Sequence, residues 1–348
     1  MSSVIKGSGV TPSERYLAHL AEKTFLNLWS YPNVFIDKKQ NGRGVGKELC
    51  DLLVVCGRNI FVFSDKHVGW PNGDVHVAWQ RWFKRAIKKS VDQIRGAERW
   101  IQQFPDRIYS DPECTCRLPI QLPQPEEIEL HGIVVANGAM RACQEYFGRS
   151  PGTLLIRSAL RDEDHINPRA IEYLPFTIGD VDTRGRFIHV VNEVTLDIAM
   201  KELDTVTDLA QYLSKKALFI RSGRLLQAEG EEDLIAYFMT HMDGDEHGFP
   251  HPNGRSWSVG DHVTIADKFR NLINNRQYDA KRKADKVSYV WDRLIEVFTT
   301  PMMDGTTIVP DGRQFELSTY EVAVRHMALE NRFRRRVLGN AILEAMEE

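Results

Sequence analysis

The stretch that decides the fold runs from Gly46 to Lys66 and reads GKELCDLLVVCGRNIFVFSDK. It contains two apolar runs joined by Gly57-Arg58-Asn59, which are favourable residues for a tight hairpin turn. Charged residues stand at the open end of this hairpin, before the first run and after the second. Because side chains alternate between the faces of a strand and paired strands lie about 4.8 Å apart, we expect these charges to gather at one end of a sheet.

The charges at the open end favour metal chemistry. A tight turn at 57–59 places Asp51 opposite residue 64, 65 or 66, according to the length of the turn, and Glu48 comes within reach if the chain bends after it. Carboxylates within about 5 Å raise one another's pKa unless a cation lies between them. Mg²⁺ takes carboxylate, water and phosphate oxygens, and a lysine such as Lys66 polarises water or stabilises the transition state. These residues predict a metal-dependent phosphodiester hydrolase.

Helical patterns flank the hairpin on both sides. Upstream, Thr11, Pro12 and Glu14 form a helix start with a capping box, and we expect this helix to end at Pro32. Downstream, apolar residues at intervals of three or four predict a long helix over about 77–104. The opposite side of that helix is basic, which is typical of a solvated face and also of a surface that follows a phosphate backbone. The candidate contacts to phosphate are Lys84, Arg85, Lys88 and Lys89.

The hairpin resembles a known family. Glu48-x-x-Asp51, an apolar strand, a turn, a second apolar strand and Lys66 are similar to the core of the PD-(D/E)xK superfamily, the restriction-endonuclease-like nucleases, in the order α–β–β–β–α–β. The resemblance implies that Asp51 binds the metal, that an acid close to Lys66 shares it, and that Lys66 helps to activate water. It also implies roles for a Gln on the following helix, here Gln93, and for an acid on the first helix, here Glu22.

Position 64 departs from the family pattern. Family members usually carry an acid two residues before the lysine, whereas this chain has Ser64 there and Asp65 one position later. Three outcomes stay open. In the first, a β-bulge at 63–65 turns Asp65 into the metal site. In the second, Glu48 and Asp51, with Glu22 on the first helix, hold the metal, and Ser64 contributes at most a hydroxyl. In the third, the site is inactive.

The composition is that of an ordinary globular chain. It has 348 residues, of which 42% are hydrophobic and 27% charged, which fits two domains or one domain with an extension. The net charge is −3, so any attraction to nucleic acid has to come from a local patch. The five cysteines are irregularly spaced, which favours a reduced, cytoplasmic protein. No apolar run approaches the roughly 20 residues of a membrane span, so we expect no membrane partner.

The predicted fold class is α/β: a restriction-endonuclease-like mixed sheet flanked by helices, followed by a mainly helical C-terminal region. We expect residues 1–12 to be a disordered lead-in and residues 13–225 to form the nuclease-like domain. The family resemblance itself covers about residues 11–156. Residues 226–348 then form the helical region, as a sensor or an oligomerisation element.

The resemblance implies an endonuclease that uses Mg²⁺ or Mn²⁺ and cuts DNA in preference to RNA. Many stand-alone relatives act in bacterial defence against phages or plasmids, which implies a homo-oligomer or a defence-system partner protein. Trp70 lies in a Gly/Pro loop near the basic helix and is a candidate for stacking on a base. One alternative is a catalytically inactive nuclease-like subunit that binds nucleic acid or serves as a scaffold, for which Ser64 is the main argument. Another is a nuclease subunit that a partner activates.

Overall fold

The computed structural model describes residues 3–38, 46–148, 150–307 and 317–347. Within these ranges the chain forms two sheets, a small hairpin and many helices, none of which is long and apolar enough to cross a bilayer. The strands are β1 (Ser30–Ile36), β2 (Lys47–Cys56), β3 (Asn59–His67), β4 (Ile108–Tyr109), β5 (Glu129–Asn137), β6 (Leu155–Arg161), β7 (Thr177–Asp180), β8 (Ile188–Val191), β9 (Leu225–Ala228), β10 (Met242–Asp243), β11 (Glu246–His247) and β12 (Val263–Ile265). The helices are α1 (Pro12–Phe25), α2 (Val75–Phe83), α3 (Lys89–Gln103), α4 (Met140–Phe147), α5 (Glu193–Glu202), α6 (Val206–Arg221), α7 (Glu231–Thr240), α8 (Lys268–Ile273), α9 (Arg276–Ala284), α10 (Ser288–Asp304), α11 (Leu317–Ala328) and α12 (Arg332–Glu347).

The larger sheet is mixed and has the strand order β4-β1-β2-β3-β5-β8. Strands β1, β2 and β3 pair antiparallel, whereas β3, β5 and β8 run parallel. Cys56 pairs with Asn59, and Gly57 between them has a φ of 59°, which a side chain rarely adopts and a tight turn requires. The predicted hairpin is therefore confirmed, and the ends of β2 and β3 that carry the charges come together.

Helices cover both faces of this sheet. On one face, Phe61 and Phe63 of β3 pack against Phe25 of α1, with ring centroids 5.2 and 6.3 Å apart. On the other face, Gly132 of β5 lies so close to α3 that an added Cβ would stand 2.6 Å from the Ile94 side chain. Because both faces are covered, β2, β3 and β5 are apolar along almost their whole length.

The long helix predicted over about 77–104 is confirmed in two parts. Asp74 caps α2 by accepting hydrogen bonds from the backbone N–H groups of His76 and Val77. A π-helical turn over Lys84–Lys88 joins α2 to α3, and such turns are frequent at functional sites. The fully buried Trp79 anchors this segment to the core.

The first helix begins as predicted and ends earlier than predicted. Thr11 caps it by accepting the backbone N–H of Glu14. The helix stops before Leu26, whose φ of 63° reverses the chain. Pro32, the expected helix end, lies instead in β1. In the described part of the chain β4 covers only the far end of β1, so one side of the strand carries no ladder bonds at Pro32, where proline is tolerated.

The lead-in is held against the sheet in its described part, residues 3–11, where the sequence predicts disorder. The ammonium group of Lys6 donates a hydrogen bond to the carbonyl oxygen of Ser30 at 2.7 Å. Gly7 lies so close to β1 that an added Cβ would stand 2.7 Å from the carbonyl oxygen of Pro32. These contacts join the lead-in to β1.

The second sheet has the order β12-β9-β6-β7 and is built from strands between residues 155 and 265. The boundary expected after residue 225 falls inside β9, which spans Leu225–Ala228. The region that follows carries α7 to α12 and only short strands. The mixed α/β architecture, the flanking helices and the mainly helical C-terminal region are therefore confirmed at this coarse level.

Candidate active site at the open end of the hairpin

The charged residues of the hairpin meet at the open end of β2 and β3. Asp51 is buried, and its Oδ2 atom accepts two hydrogen bonds, from the backbone N–H of Asp65 at 2.6 Å and from Nζ of Lys66 at 3.2 Å. The side chain of Lys66 is 33% exposed. The site thus pairs a carboxylate inside the protein with a lysine that solvent, or a substrate, can reach.

Two further carboxylates, those of Glu14 and Glu48, lie beside this pair. The Nδ2 atom of Asn33 on β1 donates to Oε1 of Glu48 at 2.9 Å and to Oε2 of Glu14 at 3.1 Å. Glu14 raises the pKa of Glu48, Asp51 and Asp65 through its charge, although burial has the larger effect on each. The four carboxylates therefore form one electrostatically coupled cluster that draws on α1, β2 and β3.

This cluster carries more negative charge than its lysine balances. Burial is the largest cause of a raised pKa at Glu48 and Asp51, and it raises the pKa of Asp65 to about 6. Repulsion from the neighbouring acids adds to these shifts, while Lys66 opposes them. Carboxylates that raise one another's pKa are stabilised when a cation comes between them, so the cluster has the electrostatic character of a cation site.

Strand β3 runs straight through residues 63–65. It pairs with β5 in unbroken register along its whole length, so the bulge considered from the sequence is not formed. Asp65 instead contacts Asp51 through its own backbone N–H. Its carboxylate lies on the α1 side of the sheet, where Nδ2 of Asn137 donates to Oδ1 at 2.8 Å, and the buried Oδ2 has no hydrogen-bond partner among the described residues.

Ser64 occupies the position where the family pattern has an acid. It is fully buried, and its hydroxyl donates to Oε1 of Gln93 on α3 at 2.8 Å. The structure thus brings Gln93 against the strand that carries Lys66. The Ser64 hydroxyl is used in holding Gln93, and the acids of the cluster come from other positions.

Glu22 does not join the cluster, contrary to the expectation from the sequence. It lies on α1 eight residues after Glu14, about 12 Å along the helix axis, and its side chain is exposed. Burial lowers the pKa of Lys6 to about 7, and the charge of Glu22 opposes that shift. The acid that α1 brings to the site is Glu14, which the sequence indicates only as a helix cap and which also accepts hydrogen bonds from the Val10 backbone N–H and the Thr11 hydroxyl.

Asn33 is a second residue of the site that the sequence does not reveal. The neighbouring residue pairs of β1 and β2 place it opposite Asp51, and it is buried. Its φ is 47°, inside a strand. The sequence NVFID from Asn33 predicts a strand, which β1 confirms, but asparagine is a common turn residue and no local signal places its amide between two acids.

The basic helix and Trp70 lie at the periphery. The exposed basic residues of the π turn and the first turn of α3 are Lys84, Arg85, Lys88 and Lys89. Lys88 forms an ion pair with Glu163. Trp70 is partly buried and stacks on Phe176, with ring centroids 4.8 Å apart, so one face of its ring is already covered.

The residues present fit a hard divalent cation in chemistry. Asp51, Glu48 and Glu14 offer the carboxylate oxygens that Mg²⁺ and Mn²⁺ prefer. In the part of the chain that the structure describes, no three His, Cys, Asp or Glu residues already surround a cation position.

Comparisons with protein-family models, curated proteins and solved structures gave no match to this chain. The class that the structure defines is a mixed α/β protein with a coupled cluster of acids and a lysine at one end of its sheet. Its function has to be inferred from these residues and their geometry.

Replacing Asp65 by Asn is expected to stabilise the protein at neutral pH. The pKa of Asp65 is about 6 in the folded protein and 3.8 ordinarily, so between these values the folded state binds more protons than the unfolded state. Stability then falls as the pH rises through this window. The Asn variant does not lose stability in this way, so its free energy of unfolding is higher by about 1–3 kcal/mol at pH 7. This difference fades towards about pH 4.

Thermal unfolding in EDTA, followed from about pH 4 to about pH 8, measures this effect. The difference in Tm between the variant and the wild type should grow with pH. A difference that does not depend on pH, or a lower Tm for the variant at neutral pH, contradicts the expectation.

Proposed function

We propose that this protein is a metal-dependent nuclease that hydrolyses phosphodiester bonds, with DNA as substrate in preference to RNA. The observation that carries the proposal is the buried carboxylate of Asp51, which is coupled to Glu14 and Glu48 and hydrogen-bonded to the half-exposed Lys66. Acids that need a cation, next to a lysine that a substrate can reach, are the groups that phosphodiester hydrolysis uses. Mg²⁺ or Mn²⁺ is the proposed cofactor.

The order of the elements supports a restriction-endonuclease-like fold. Apart from the two-residue edge strand β4, which lies between α3 and β5, the elements α1, β1, β2, β3, α2–α3 and β5 follow the order α–β–β–β–α–β. The hairpin is antiparallel, and β5 joins β3 in parallel. The family that the sequence resembles has this order, with its acids and lysine on the two strands that correspond to β2 and β3.

Each residue of the site has a proposed role. Asp51 and Glu48, with Glu14 from α1, hold the divalent ion through carboxylate oxygens. When bound, the ion lowers the pKa of a water molecule and offsets the negative charge of the phosphate. Lys66 leaves Asp51 and donates a hydrogen bond to the attacking water or to a phosphate oxygen, where negative charge develops in the transition state. Gln93, fixed by Ser64, orients the water or the phosphate beside β3.

The basic residues supply a path for the nucleic-acid backbone. Lys89 lies one helical turn before Gln93 on α3, so the exposed basic face borders the site. Every phosphate that such a side chain neutralises releases counterions and adds affinity that does not depend on sequence. Defence against phages or plasmids, as a homo-oligomer or with a partner protein, is what the family resemblance adds to this proposal.

A cleavage assay with Lys66→Ala tests the proposal. Purified wild type is incubated with plasmid, linear DNA or RNA in Mg²⁺, Mn²⁺ or EDTA. We expect cutting with either metal, no cutting in EDTA, and at least about a 100-fold lower rate for Lys66→Ala, because the variant loses a preorganised donor. Lys23→Ala, at an exposed lysine on α1, is the matched control and should cut like the wild type. Equal residual cutting by all three proteins indicates a contaminating nuclease and contradicts the proposal.

A second function, an inactive nuclease-like subunit that binds nucleic acid or serves as a scaffold, is favoured by one observation. The straight run of β3 leaves Ser64 with its side chain directed at Gln93, so no acid stands at the position that the family uses. The same assay separates the two functions. Retained binding of DNA without metal-dependent cutting by the wild type supports the inactive subunit, and cutting that only an added partner restores supports a partner-activated nuclease.

A further inference from the structure

Asn33 has a backbone conformation that is unusual inside a strand. Its φ of 47° lies in the left-handed region, which is unfavourable for a residue with a side chain. Asn tolerates this region better than most residues. Strained residues of this kind cluster at functional sites, and Asn33 lies opposite Asp51 in the pairing of β1 with β2.

The side chain of Asn33 connects two acids from different elements. The amide nitrogen has two hydrogens, and its two hydrogen bonds go to Glu14 on α1 and to Glu48 on β2. Asn33 is only 4% exposed. The donor is therefore buried, while the acceptor carboxylates of Glu14 and Glu48 stay partly exposed.

These bonds act on the charges of the two acids. Burial raises the pKa of Glu14, but several hydrogen bonds, with that from Asn33 the largest, bring it below its ordinary value. Burial also raises the pKa of Glu48, and the bond from Asn33 opposes that rise. The neutral amide of Asn33 thus makes the negative charges of Glu14 and Glu48 less unfavourable.

Residues of the lead-in contact both Asn33 and Glu14. An added Cβ on Gly7 would stand 3.4 Å from Cβ of Asn33. Val10 donates its backbone N–H to the same Oε2 atom of Glu14 that Asn33 contacts, at 2.8 Å. Residues before α1 therefore help to fix both the amide and one of its two acceptors.

We propose that Asn33 is a positioning residue of the metal site, whose amide holds the carboxylates of Glu14 and Glu48 side by side next to Asp51. This inference rests on the proposed function, because it assigns Asn33 a role through those acids. Asn33 itself contacts neither the cation nor the substrate. It sets how tightly the acids bind the ion and leaves the hydrolysis step to Asp51 and Lys66.

Asn33→Gly is the decisive variant, since glycine adopts the same positive φ without strain and lacks the amide. Binding of Mn²⁺ to the full chain is measured by calorimetry, together with cleavage rates at increasing Mn²⁺. We expect Mn²⁺ affinity to fall by about 10- to 100-fold, as for other residues that orient metal ligands. Excess Mn²⁺ should restore most of the cleavage rate.

Two results overturn the inference, and they are distinguishable. If the wild type binds Mn²⁺ and cuts DNA but Asn33→Gly has the same Mn²⁺ affinity, Asn33 has only a structural role. If the wild type itself binds no Mn²⁺, the proposed function fails together with the inference. Asn275→Gly, which removes the asparagine that caps α9, is the control and should leave Mn²⁺ binding unchanged.

Discussion

Replacing Asp51 by Asn is expected to abolish metal-dependent cleavage while the protein stays folded. Asparagine has the same shape and keeps an oxygen that can accept the backbone N–H of Asp65, but it lacks the negative charge that attracts the ion. We expect the cleavage rate to fall by about three orders of magnitude or more, because Asp51 is the buried acid on which the proposed metal site depends.

The stability of this variant should change in the opposite direction. Burial raises the pKa of Asp51, which means that the folded protein holds this charge at a cost. Removing the charge should leave Tm unchanged or raise it by a few degrees, as is common when a residue serves activity at the expense of stability. Asp279→Asn, at an exposed position on α9, is the matched control. Wild-type cleavage by Asp51→Asn, or its failure to fold, contradicts the account.

Replacing Arg335 by Ala is expected to reduce the free energy of unfolding by about 2–4 kcal/mol, because several buried acceptors lose a charged donor. Arg335 on α12 is only 1% exposed. It donates to Oδ1 of Asp292 on α10 at 2.7 Å and to the carbonyl oxygens of Glu330 and Ala328. In the alanine variant Asp292 keeps Arg332, which donates to its Oδ2 at 2.7 Å, whereas the two carbonyl oxygens lose this donor.

Urea unfolding measures this loss, with Arg334→Ala as the control. The side chain of Arg334 is 71% exposed in its ion pair with Glu330, and exposed pairs contribute about 0–1 kcal/mol. If both variants lose the same small amount, the C-terminal helices do not depend on the buried pair. A large loss for Arg335→Ala alone, within a single cooperative transition, supports the view that these helices are part of one folded unit with the sheet.

Contacts between the C-terminal helices and the segments around the sheet bear on the site. Nε1 of Trp29, immediately before β1, donates to Oε1 of Glu321 on α11 at 2.6 Å. The backbone N–H of Val4 in the lead-in donates to the carbonyl oxygen of Met303 on α10 at 2.8 Å. Because β1 and the lead-in also hold Asn33 and its acceptors, the helical region supports the site through these two segments. The sequence, by contrast, predicts a separate region after residue 225.

The hairpin and its charged end could be predicted because the signals are local. The two-residue period of the apolar runs and the turn at Gly57 fix the pairing of β2 with β3. That pairing in turn brings Asp51 next to Lys66. The long helix after the hairpin could be predicted for the same reason, since its apolar period is visible in one continuous stretch.

The remaining parts of the site depend on non-local packing. Glu14, rather than Glu22, reaches the cluster because the N-terminal end of α1 lies at the open end of the hairpin, and a helical pattern does not show which of its ends will do so. The positive φ of Asn33 occurs inside a strand, whereas the residue type alone favours a turn. The absence of a bulge at Asp65 is also non-local. Parallel pairing with β5, which is distant in the sequence, keeps β3 straight.

Calorimetric titration of Mn²⁺ into the wild type and Asp51→Asn tests the central claim most directly. The claim is that the coupled acids at the open end of the hairpin form a binding site for a divalent cation. We predict saturable binding to the wild type and to Asp279→Asn, and loss of that binding in Asp51→Asn. Binding of equal strength to Asp51→Asn, or no binding to the wild type at neutral pH, would contradict the claim.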